Sequence, residues 1–296
     1  MTLAELIERT AARFAAAALF YGHGTDNPRD EAVWLVLRGL ELPFDADLRR
    51  AAAAADRERI ERLAARRIDE RMPVAYLLKE AWLAGQSFYG DERVIVPRSH
   101  IAELLREPLV ARRKVQRVLD LCTGSGCLAI LAARAFPAAQ VDALDISPAA
   151  LAVARKNVAH YRLGRRVHLR RSDLFAALGA ARYDLILTNP PYVSGRAMAA
   201  LPAEYRHEPR VALAGGADGL AFVARILAAA AAHLEPDGLL VCEVGDARRA
   251  LERRFARLRL RWPRPEVFTA ARGALASAAS KAVSARTPAS RSRATR

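Results

Sequence analysis

The sequence predicts an α/β protein in which a doubly wound, mostly parallel sheet follows a small N-terminal helical domain. Two observations predict this fold class. From about residue 115 onward, short apolar runs of strand length alternate with segments of helical periodicity, as parallel strands joined by crossover helices require. The first 84 residues show helical periodicity alone. The chain has 296 residues and is 52% hydrophobic, which is enough for two units with their own cores.

Residues 1–84 are predicted to form a helical, substrate-binding domain. Thr2 begins a capping-box pattern before the first helix. Asn27-Pro28 begins a second helix, because proline is favoured in a first turn. Residues 85–100 are interpreted as a linking β-hairpin whose turn lies at Asp91-Glu92.

The catalytic domain is predicted over residues 101–272. Its expected strands are 118–121, 141–144, 167–169, 185–187 and 239–244. The expected helices between them are 128–135, 148–161 and 220–234. Residues 273–296 consist mostly of Ala, Ser, Thr and Arg, so we interpret them as a disordered basic tail.

Composition limits the possible partners and compartments. The net charge is +15, which leaves a nucleic-acid partner open without requiring one, and six of those net charges lie after Glu266. The acidic N-terminus does not resemble a signal peptide, and no apolar run has the length of a membrane span. The three cysteines lack metal-site or disulfide spacing, so we expect a cytoplasmic protein without a metal.

The loop after the first strand of the predicted sheet is a candidate cofactor site. Gly124 and Gly126 allow a tight turn and a close approach of a ligand to the backbone. Ligands of doubly wound sheets bind where the strands end. Asp120 and Thr123, in the same loop, are further candidate cofactor contacts.

Two acidic residues extend this candidate site. Asp145 ends the next strand, nineteen residues after Gly126, and its carboxylate can accept hydrogen bonds from both hydroxyls of a ribose. The alternative for Asp145 is a turn or helix-cap residue. Asp173 follows the third strand and can accept from an adenine amino group, or cap the following helix instead.

These residues alone leave two cofactors open, because nicotinamide and S-adenosylmethionine enzymes both need a ribose carboxylate here. The run Asn189-Pro190-Pro191-Tyr192 after the fourth strand of the catalytic domain favours S-adenosylmethionine. It provides a clamp for an amino group beside the expected position of a sulfonium methyl. A dehydrogenase would need a hydride acceptor and a proton donor, which nothing at this position suggests.

The same four residues are the candidate catalytic and substrate-binding group. The Asn189 side-chain oxygen can accept one N–H of a planar amino group, and the Pro190 carbonyl can accept the other. Proline fixes φ at Pro190 and Pro191 and so the direction of both acceptors. The ring of Tyr192 can lie against the flat substrate group. We expect Asn189 to contact the cofactor as well. A Pro-Pro turn with a core tyrosine is the simpler alternative.

Together these motifs resemble the protein-glutamine N5-methyltransferases of the HemK/PrmB group. The resemblance spans about residues 64–244 and includes Phe88 and Val96-Pro97-Arg98. It implies a helical domain, a linking hairpin and a Rossmann-like S-adenosylmethionine methyltransferase domain that methylates a glutamine side-chain amide. The usual C-terminal turn is absent, and Val267-Phe268 is interpreted as the remnant of the last strand.

Segments 73–77, 97–99 and 204–209 resemble the branch that methylates large-subunit ribosomal protein L3. The resemblance implies that Arg98, Glu204 and Arg206 bind substrate together with the four clamp residues. Ribosomal protein L3 and ribosome assembly intermediates are the expected partners. His207 and Glu208 are interpreted as loop structure or substrate contacts, because adjacent loop residues rarely converge for acid–base chemistry.

Three other functions stay open at this point. The second branch of the family methylates the Gly-Gly-Gln glutamine of peptide release factors. N6-adenine methyltransferases use the same clamp on nucleic acid, but they would be expected to carry a basic and aromatic recognition region. A non-catalytic RNA-binding protein would use the basic surface, which leaves the cofactor and clamp residues unexplained.

Overall fold

A computed structural model describes residues 1–276 and confirms the predicted α/β fold class. The strands are β1 (Ala81–Leu83), β2 (Gln86–Phe88), β3 (Arg117–Leu121), β4 (Gln140–Asp145), β5 (Val167–Arg171), β6 (Tyr183–Thr188), β7 (Leu234–Glu243), β8 (Arg261–Arg264) and β9 (Val267–Ala271). Seven of them form one sheet in the order β5-β4-β3-β6-β7-β9-β8. The first five of this order are parallel, while β9 pairs antiparallel with both of its neighbours. The C-terminal ends of the parallel strands therefore meet at one edge, where the site lies.

Helices of the catalytic domain cover both faces of this sheet, and others form the helical domain. The helices are α1 (Leu3–Ala16), α2 (Pro28–Gly39), α3 (Ala54–Asp69), α4 (Val74–Leu78), α5 (Ile101–Leu104), α6 (Pro108–Ala111), α7 (Cys127–Ala135), α8 (Pro148–His160), α9 (Gly195–Ala200), α10 (Arg210–Leu213), α11 (Ala221–Ala229) and α12 (Arg248–Arg254). Successive residues of β3 point into different cores, since Val118 packs in the cluster of α7 and Leu119 in that of α11. This alternation places apolar side chains on both faces of the strand, as a doubly wound sheet requires.

The helical domain has its own core, built by α1 to α4. Thr2 Oγ1 accepts from the Glu5 backbone N–H at 3.2 Å, and the Glu5 carboxylate accepts from the Thr2 N–H at 2.9 Å, so the predicted capping box is present. Asn27 caps α2 by accepting from the Asp30 N–H at 2.9 Å, with Pro28 at the first helical position. The capping signals in the sequence thus predict correctly where both helices begin.

The predicted hairpin is wrong in position. The strands that pair are β1 and β2, joined by the two-residue turn Ala84-Gly85 with φ of +50° and +74°. Positive φ at both turn residues matches the twist of a tight hairpin. Residues 89–97 run as loop because side chains bind their backbone groups in place of a partner strand, as the Tyr76 hydroxyl does in donating to the Val94 carbonyl at 2.5 Å.

The C-terminal region contains more regular secondary structure than the sequence interpretation predicts. Val267-Phe268 belongs to a complete strand, β9, which pairs with β7 along five residues and with β8 on its other side. Residues 273–276, assigned above to the tail, are helical, and Leu275 is buried in the same core as Phe268. The burial of this leucine explains why the fold extends past residue 272. The remaining residues of the predicted tail, 277–296, lie outside the described residues.

A buried ion cluster joins the helical domain to the catalytic domain. Arg67 on α3 donates to Glu31 on α2 at 3.0 Å, to Glu204 at 3.2 Å and to the Phe20 carbonyl at 2.9 Å. All three charged side chains are at most 2% exposed. Glu204 lies on the 3-10 helix Ala203–His207, in the loop that follows the clamp. The clamp loop is thereby tied to the helical core. Within residues 1–276, no helix is both long and apolar enough to cross a bilayer.

We predict that Arg67→Ala lowers the free energy of unfolding by about 3–5 kcal/mol, because it leaves the buried Glu31 without its cation and Glu204 with only the more distant Arg71, at 3.8 Å. Urea denaturation at pH 7 measures this. Arg62→Ala is the matched control on the same helix, where an exposed pair with Glu58 contributes about 1 kcal/mol or less. Equal losses in the two variants would contradict the assigned role of the cluster.

Candidate active site

Asn189 stands at the C-terminal end of β6, the central strand of the sheet. The hydroxyl of Thr188, one residue earlier, donates to the Leu121 carbonyl at 3.1 Å and so holds the ends of β6 and β3 together. On the other side of β3, strand β4 ends in Asp145. Three of the predicted site segments therefore meet at one edge of the sheet, as the parallel topology predicts.

A pocket at this edge is lined by the predicted cofactor residues Gly124, Asp145, Asp173 and Asn189. Gly124 has a φ of +55°, and a Cβ added there would meet no atom within 4 Å, so its backbone faces open space. The Asp145 carboxylate accepts from the Gly124 N–H and from the Ser147 N–H, each at 2.9 Å. These bonds fix the carboxylate beside the pocket. Burial raises the pKa of Asp145, against the effect of the backbone donors.

Asp173 also lines this pocket but is half exposed. Its carboxylate accepts from Arg225 on α11 at 2.8 Å. The predicted role in accepting from an adenine amino group uses the side of the carboxylate that Arg225 leaves available, since each oxygen has two lone pairs.

Asp120 and Thr123 lie behind the loop and do not line the pocket. One oxygen of the buried Asp120 carboxylate accepts from the Thr123 hydroxyl at 2.5 Å and from the Ala129 N–H at 3.0 Å, which ties the loop to α7. The other oxygen, Oδ1, is buried and has no hydrogen-bond partner among the described residues. Burial raises the pKa of Asp120 to about 7. This oxygen faces the interior behind the loop, so Asp120 holds the loop in place and does not contact the pocket.

Gly126 has a different role from the predicted cofactor contact. It precedes α7 with a φ of +79°, and a Cβ there would lie 3.1 Å from the Cβ of Ala154. The position needs glycine because α8 packs directly against it. Of the two loop glycines, only Gly124 faces the pocket.

The clamp residues separate this pocket from a second, wider cleft. Asn189 lines both spaces, Pro191 lines the pocket, and Pro190 and Tyr192 line the cleft. The Asn189 Nδ2 donates to the Arg98 carbonyl at 3.3 Å. Because the amide nitrogen is engaged there, the side-chain oxygen is the group left to accept from a ligand.

Three glycines pack around Tyr192, which the sequence interpretation did not anticipate. A Cβ at Gly215 would lie 2.7 Å from the Tyr192 Cα, and one at Gly219 would overlap the Tyr192 carbonyl oxygen. A Cβ at Gly245 would lie 2.5 Å from the ring atom Cε2. Gly215 and Gly219 let one loop close on the backbone of Tyr192, and Gly245 lets a second segment close on its ring. Burial raises the pKa of the Tyr192 phenol, so it stays neutral at physiological pH.

Arg98 is held by the buried carboxylate of Glu208. Its guanidinium donates to both Glu208 oxygens, at 2.5 and 2.6 Å, and Glu208 also accepts from the Val96 N–H at 2.9 Å. Arg98 lines the cleft, and its Cζ atom lies 5.3 Å from the Tyr205 ring centroid. The pair fixes the backbone of Arg98, whose carbonyl orients Asn189.

The other predicted substrate residues lie away from the cleft. Glu204 is 2% exposed and bound to Arg67, so its carboxylate is committed to the domain interface. Arg206 is exposed and does not line the cleft. Their neighbour Tyr205 lines it instead. The 3-10 conformation of this segment explains the difference, because it turns adjacent side chains in different directions.

His207 and Glu208 are structural, in agreement with the preference for loop structure over acid–base chemistry. His207 contacts Glu92 at 3.2 Å and the Glu70 carbonyl at 2.8 Å, so it joins three segments. At the end of β7, Glu243 accepts from the Ser99 hydroxyl at 2.6 Å and from the His100 N–H at 3.1 Å. The linker is thereby attached to the sheet edge beside the clamp.

Comparison with known proteins identifies the family of this chain. The methyltransferase small domain family matches residues 100–204. A ribosomal protein uL3 glutamine methyltransferase from Bordetella pertussis is 54% identical over 88% of this chain and 90% of its own length. One from Burkholderia pseudomallei is 50% identical over 88% of this chain and 90% of its own. This chain belongs to the ribosomal protein uL3 glutamine methyltransferase family. Among solved structures, a Pyrococcus furiosus methyltransferase has a TM-score of 0.45, with 18% identity over 63% of this chain and 88% of that one.

The family confirms the predicted enzyme class and cofactor: the chain is an S-adenosylmethionine-dependent methyltransferase. The residues present fit that cofactor. The open space at Gly124 leaves room for it, and the Asp145 carboxylate lines the pocket. When bound, S-adenosylmethionine supplies an electrophilic methyl group. Within residues 1–276, no cluster of three or more His, Cys, Asp or Glu side chains is arranged to hold a metal ion.

His23 is a buried titratable group behind the site. Its Nε2 lies 3.7 Å from Glu208 Oε1, and neither ring nitrogen has a hydrogen-bond partner among the described residues. Burial lowers the pKa of His23 to about 4, against the opposing charge of Glu208. An unfolded histidine titrates near 6.5. Between these values the unfolded chain binds a proton that the folded protein does not, so stability is lost as pH falls from 6.5 to 4.

We predict that His23→Phe reduces the loss of folding stability between pH 7 and pH 4.5 by roughly 2–3 kcal/mol, because the substituted ring has no proton to gain. Urea denaturation at several pH values measures the difference between variant and parent. His168→Phe removes an exposed histidine and should leave the pH profile unchanged. A His23 variant with the parent's pH profile would contradict the assignment.

We predict that Gly245→Ala lowers kcat/KM for methyl transfer by about 100-fold, because the added Cβ must displace the Tyr192 ring. The strained φ of +47° adds to this effect. Cofactor affinity, measured by calorimetry, should change by about threefold or less, because Gly245 does not line the cofactor pocket. Gly164→Ala is the control, since a Cβ there would meet no atom within 4 Å. Full activity in Gly245→Ala would show that the ring is not held by this contact.

Proposed function

We propose that this protein transfers a methyl group from S-adenosylmethionine to the side-chain amide nitrogen of a glutamine in ribosomal protein uL3. The observation that supports this most directly is the position of Asn189, which lines both the cofactor pocket and the wider cleft. A group held by Asn189 from the cleft side is thereby close to the pocket.

The clamp favours an amino group over a hydroxyl. Asn189 Oδ1 and the Pro190 carbonyl are two acceptors on adjacent residues, and a planar –NH2 has two donors to offer them, whereas a hydroxyl has one. With both N–H groups bound, the plane of the amide is held in one orientation. The lone pair on nitrogen then points in a fixed direction out of that plane. The Tyr192 ring, packed against Gly245, lines the cleft together with Asn189 and Pro190.

Geometry has to supply most of the rate, because an amide lone pair is delocalised into its carbonyl. Holding nitrogen in line with the electrophile replaces a bimolecular encounter with an effectively unimolecular step. Asn189 Oδ1 and the Pro190 carbonyl also stabilise the positive charge that develops on nitrogen. The proton on nitrogen then passes to water in the open cleft, so no strong general base is needed. The neutral Tyr192 phenol and the paired Glu243 fit this scheme, since neither is poised to remove a proton first.

The substrate assignment is supported by the relatives, whose names specify uL3 and which match this chain over about nine-tenths of their own length. We infer that the helical domain over residues 1–84 docks that substrate, because the buried Arg67–Glu204 contact attaches it to the loop whose Tyr205 lines the cleft. We place the activity in the cytoplasm, where free thiols such as Cys122, Cys127 and Cys242 persist.

We predict that Asn189→Ala lowers kcat/KM by about 100- to 1,000-fold, the usual effect of removing one transition-state hydrogen-bond partner. The assay is transfer of labelled methyl to purified uL3 and, separately, to a release factor and to nucleic acid. Affinity for S-adenosylmethionine should change by about threefold or less. Asn27→Ala, at the cap of α2, is the control and should cost about 1 kcal/mol of stability without loss of turnover.

The outcomes discriminate between the remaining functions. Label on uL3 that depends on Asn189 supports the proposal. Label only on the release factor would keep the mechanism and change the substrate. Label only on nucleic acid, or near-normal turnover in Asn189→Ala, would overturn the proposal.

A further inference from the structure

Positive charge is unevenly distributed along the chain. Residues 1–84 contain thirteen Lys and Arg against fourteen Asp and Glu and are close to neutral. Residues 248–264 contain eight arginines and one acidic residue, Glu252. This segment includes α12 and continues into β8. Residues 155–171 carry an equal excess, seven Lys and Arg without an acidic residue, but none of them lines the cleft, whereas Arg249 and Arg253 do.

Five of these eight arginines, including Arg261 on β8, form no ion pair with a described residue. Arg248, Arg254 and Arg264 form ion pairs with Glu252, with Asp218, and with Glu103 and Glu107 respectively. We define the arginine ridge as Arg249, Arg253, Arg257 and Arg259. All four are exposed, and none forms an ion pair with any residue of the described range 1–276. The apolar residues between them, including Phe255 and Leu258, pack against the core, so the arginines point outward.

The ridge begins inside the substrate cleft. Arg249 and Arg253 line it together with Tyr192 and the exposed Arg196. Arg257 and Arg259 do not line the cleft and continue along the chain beyond it. A ligand that contacts the whole ridge must therefore extend past the peptide segment that carries the glutamine.

We propose that the arginine ridge binds the phosphate backbone of RNA lying beside the docked protein substrate. The inference rests on the proposed function, because a ribosomal protein is a partner of RNA. Repeated negative charges match a row of guanidinium groups that no carboxylate neutralises, and the planar guanidinium fork binds phosphate oxygens in pairs. The substrate that the enzyme recognises best is then uL3 together with RNA, and the ridge reads phosphates rather than base sequence.

The test measures RNA binding separately from methyl transfer. The probe is a fluorescein-labelled, 30-nucleotide single-stranded RNA of mixed sequence, titrated with the full-length protein at several KCl concentrations. The variant is Arg253→Ala with Arg257→Ala and Arg259→Ala. We expect its affinity to fall about tenfold or more. The slope of log K against log salt should shrink by about 2, since each lost phosphate contact contributes ~0.7 for a single strand. Arg→Lys at the same three positions should retain most of the binding.

The matched control removes three exposed arginines from the helical domain, as Arg49→Ala, Arg59→Ala and Arg62→Ala, and should bind like the parent. Equal affinity and slope in the ridge variant and the parent would overturn the proposal. So would loss of binding to a polyglutamate peptide without loss of RNA binding, which would assign the ridge to an acidic protein. Methylation of purified uL3 without RNA is measured in parallel, so failure of the proposed function is visible independently of the ridge.

Discussion

The buried carboxylate of Glu208 is the contact on which the site depends. It binds the Arg98 guanidinium through both oxygens and the Val96 N–H through one of them. These bonds hold the irregular segment 89–98 against the loop that follows the clamp. The Arg98 carbonyl, fixed in this way, accepts from the Asn189 amide nitrogen and leaves the side-chain oxygen available as an acceptor. The orientation of the Asn189 amide therefore depends on an ion pair between two segments more than 100 residues apart.

The site combines a rigid sheet edge with two buried charge clusters. The ends of β3, β4 and β6 supply the cofactor loop, the Asp145 carboxylate and the clamp. The clusters around Glu208 and Arg67 supply the walls and attach them to the helical domain. Burying charges costs solvation free energy, which only good hydrogen-bond geometry recovers. Neither cluster is an obvious way to gain stability, and both lie where loop position decides catalysis. Their contribution is better understood as fixing the geometry of the substrate cleft.

The sequence predicts the parallel sheet, its helices and the three ligand-facing segments, because periodicity and topology are local or nearly local signals. It places Gly124, Asp145 and Asn189 correctly at one edge. The hairpin was predicted too late in the chain, because Ala84 at positive φ is an unusual turn residue and the side-chain partners of residues 89–97 come from distant segments. Glu204 was expected in the substrate cleft because its ion-pair partner also comes from a distant segment. Its partner Arg67 is 137 residues away, and no sequence spacing reports that contact.

The central claim is that two acceptors hold the substrate amide beside the cofactor pocket. A crystal structure with S-adenosylhomocysteine and a glutamine-containing uL3 fragment tests it most directly. The account predicts the glutamine side-chain nitrogen within about 3.2 Å of both Asn189 Oδ1 and the Pro190 carbonyl oxygen, with the Tyr192 ring against the amide. A glutamine amide bound elsewhere in the cleft, with Asn189 Oδ1 facing only water, would contradict the account.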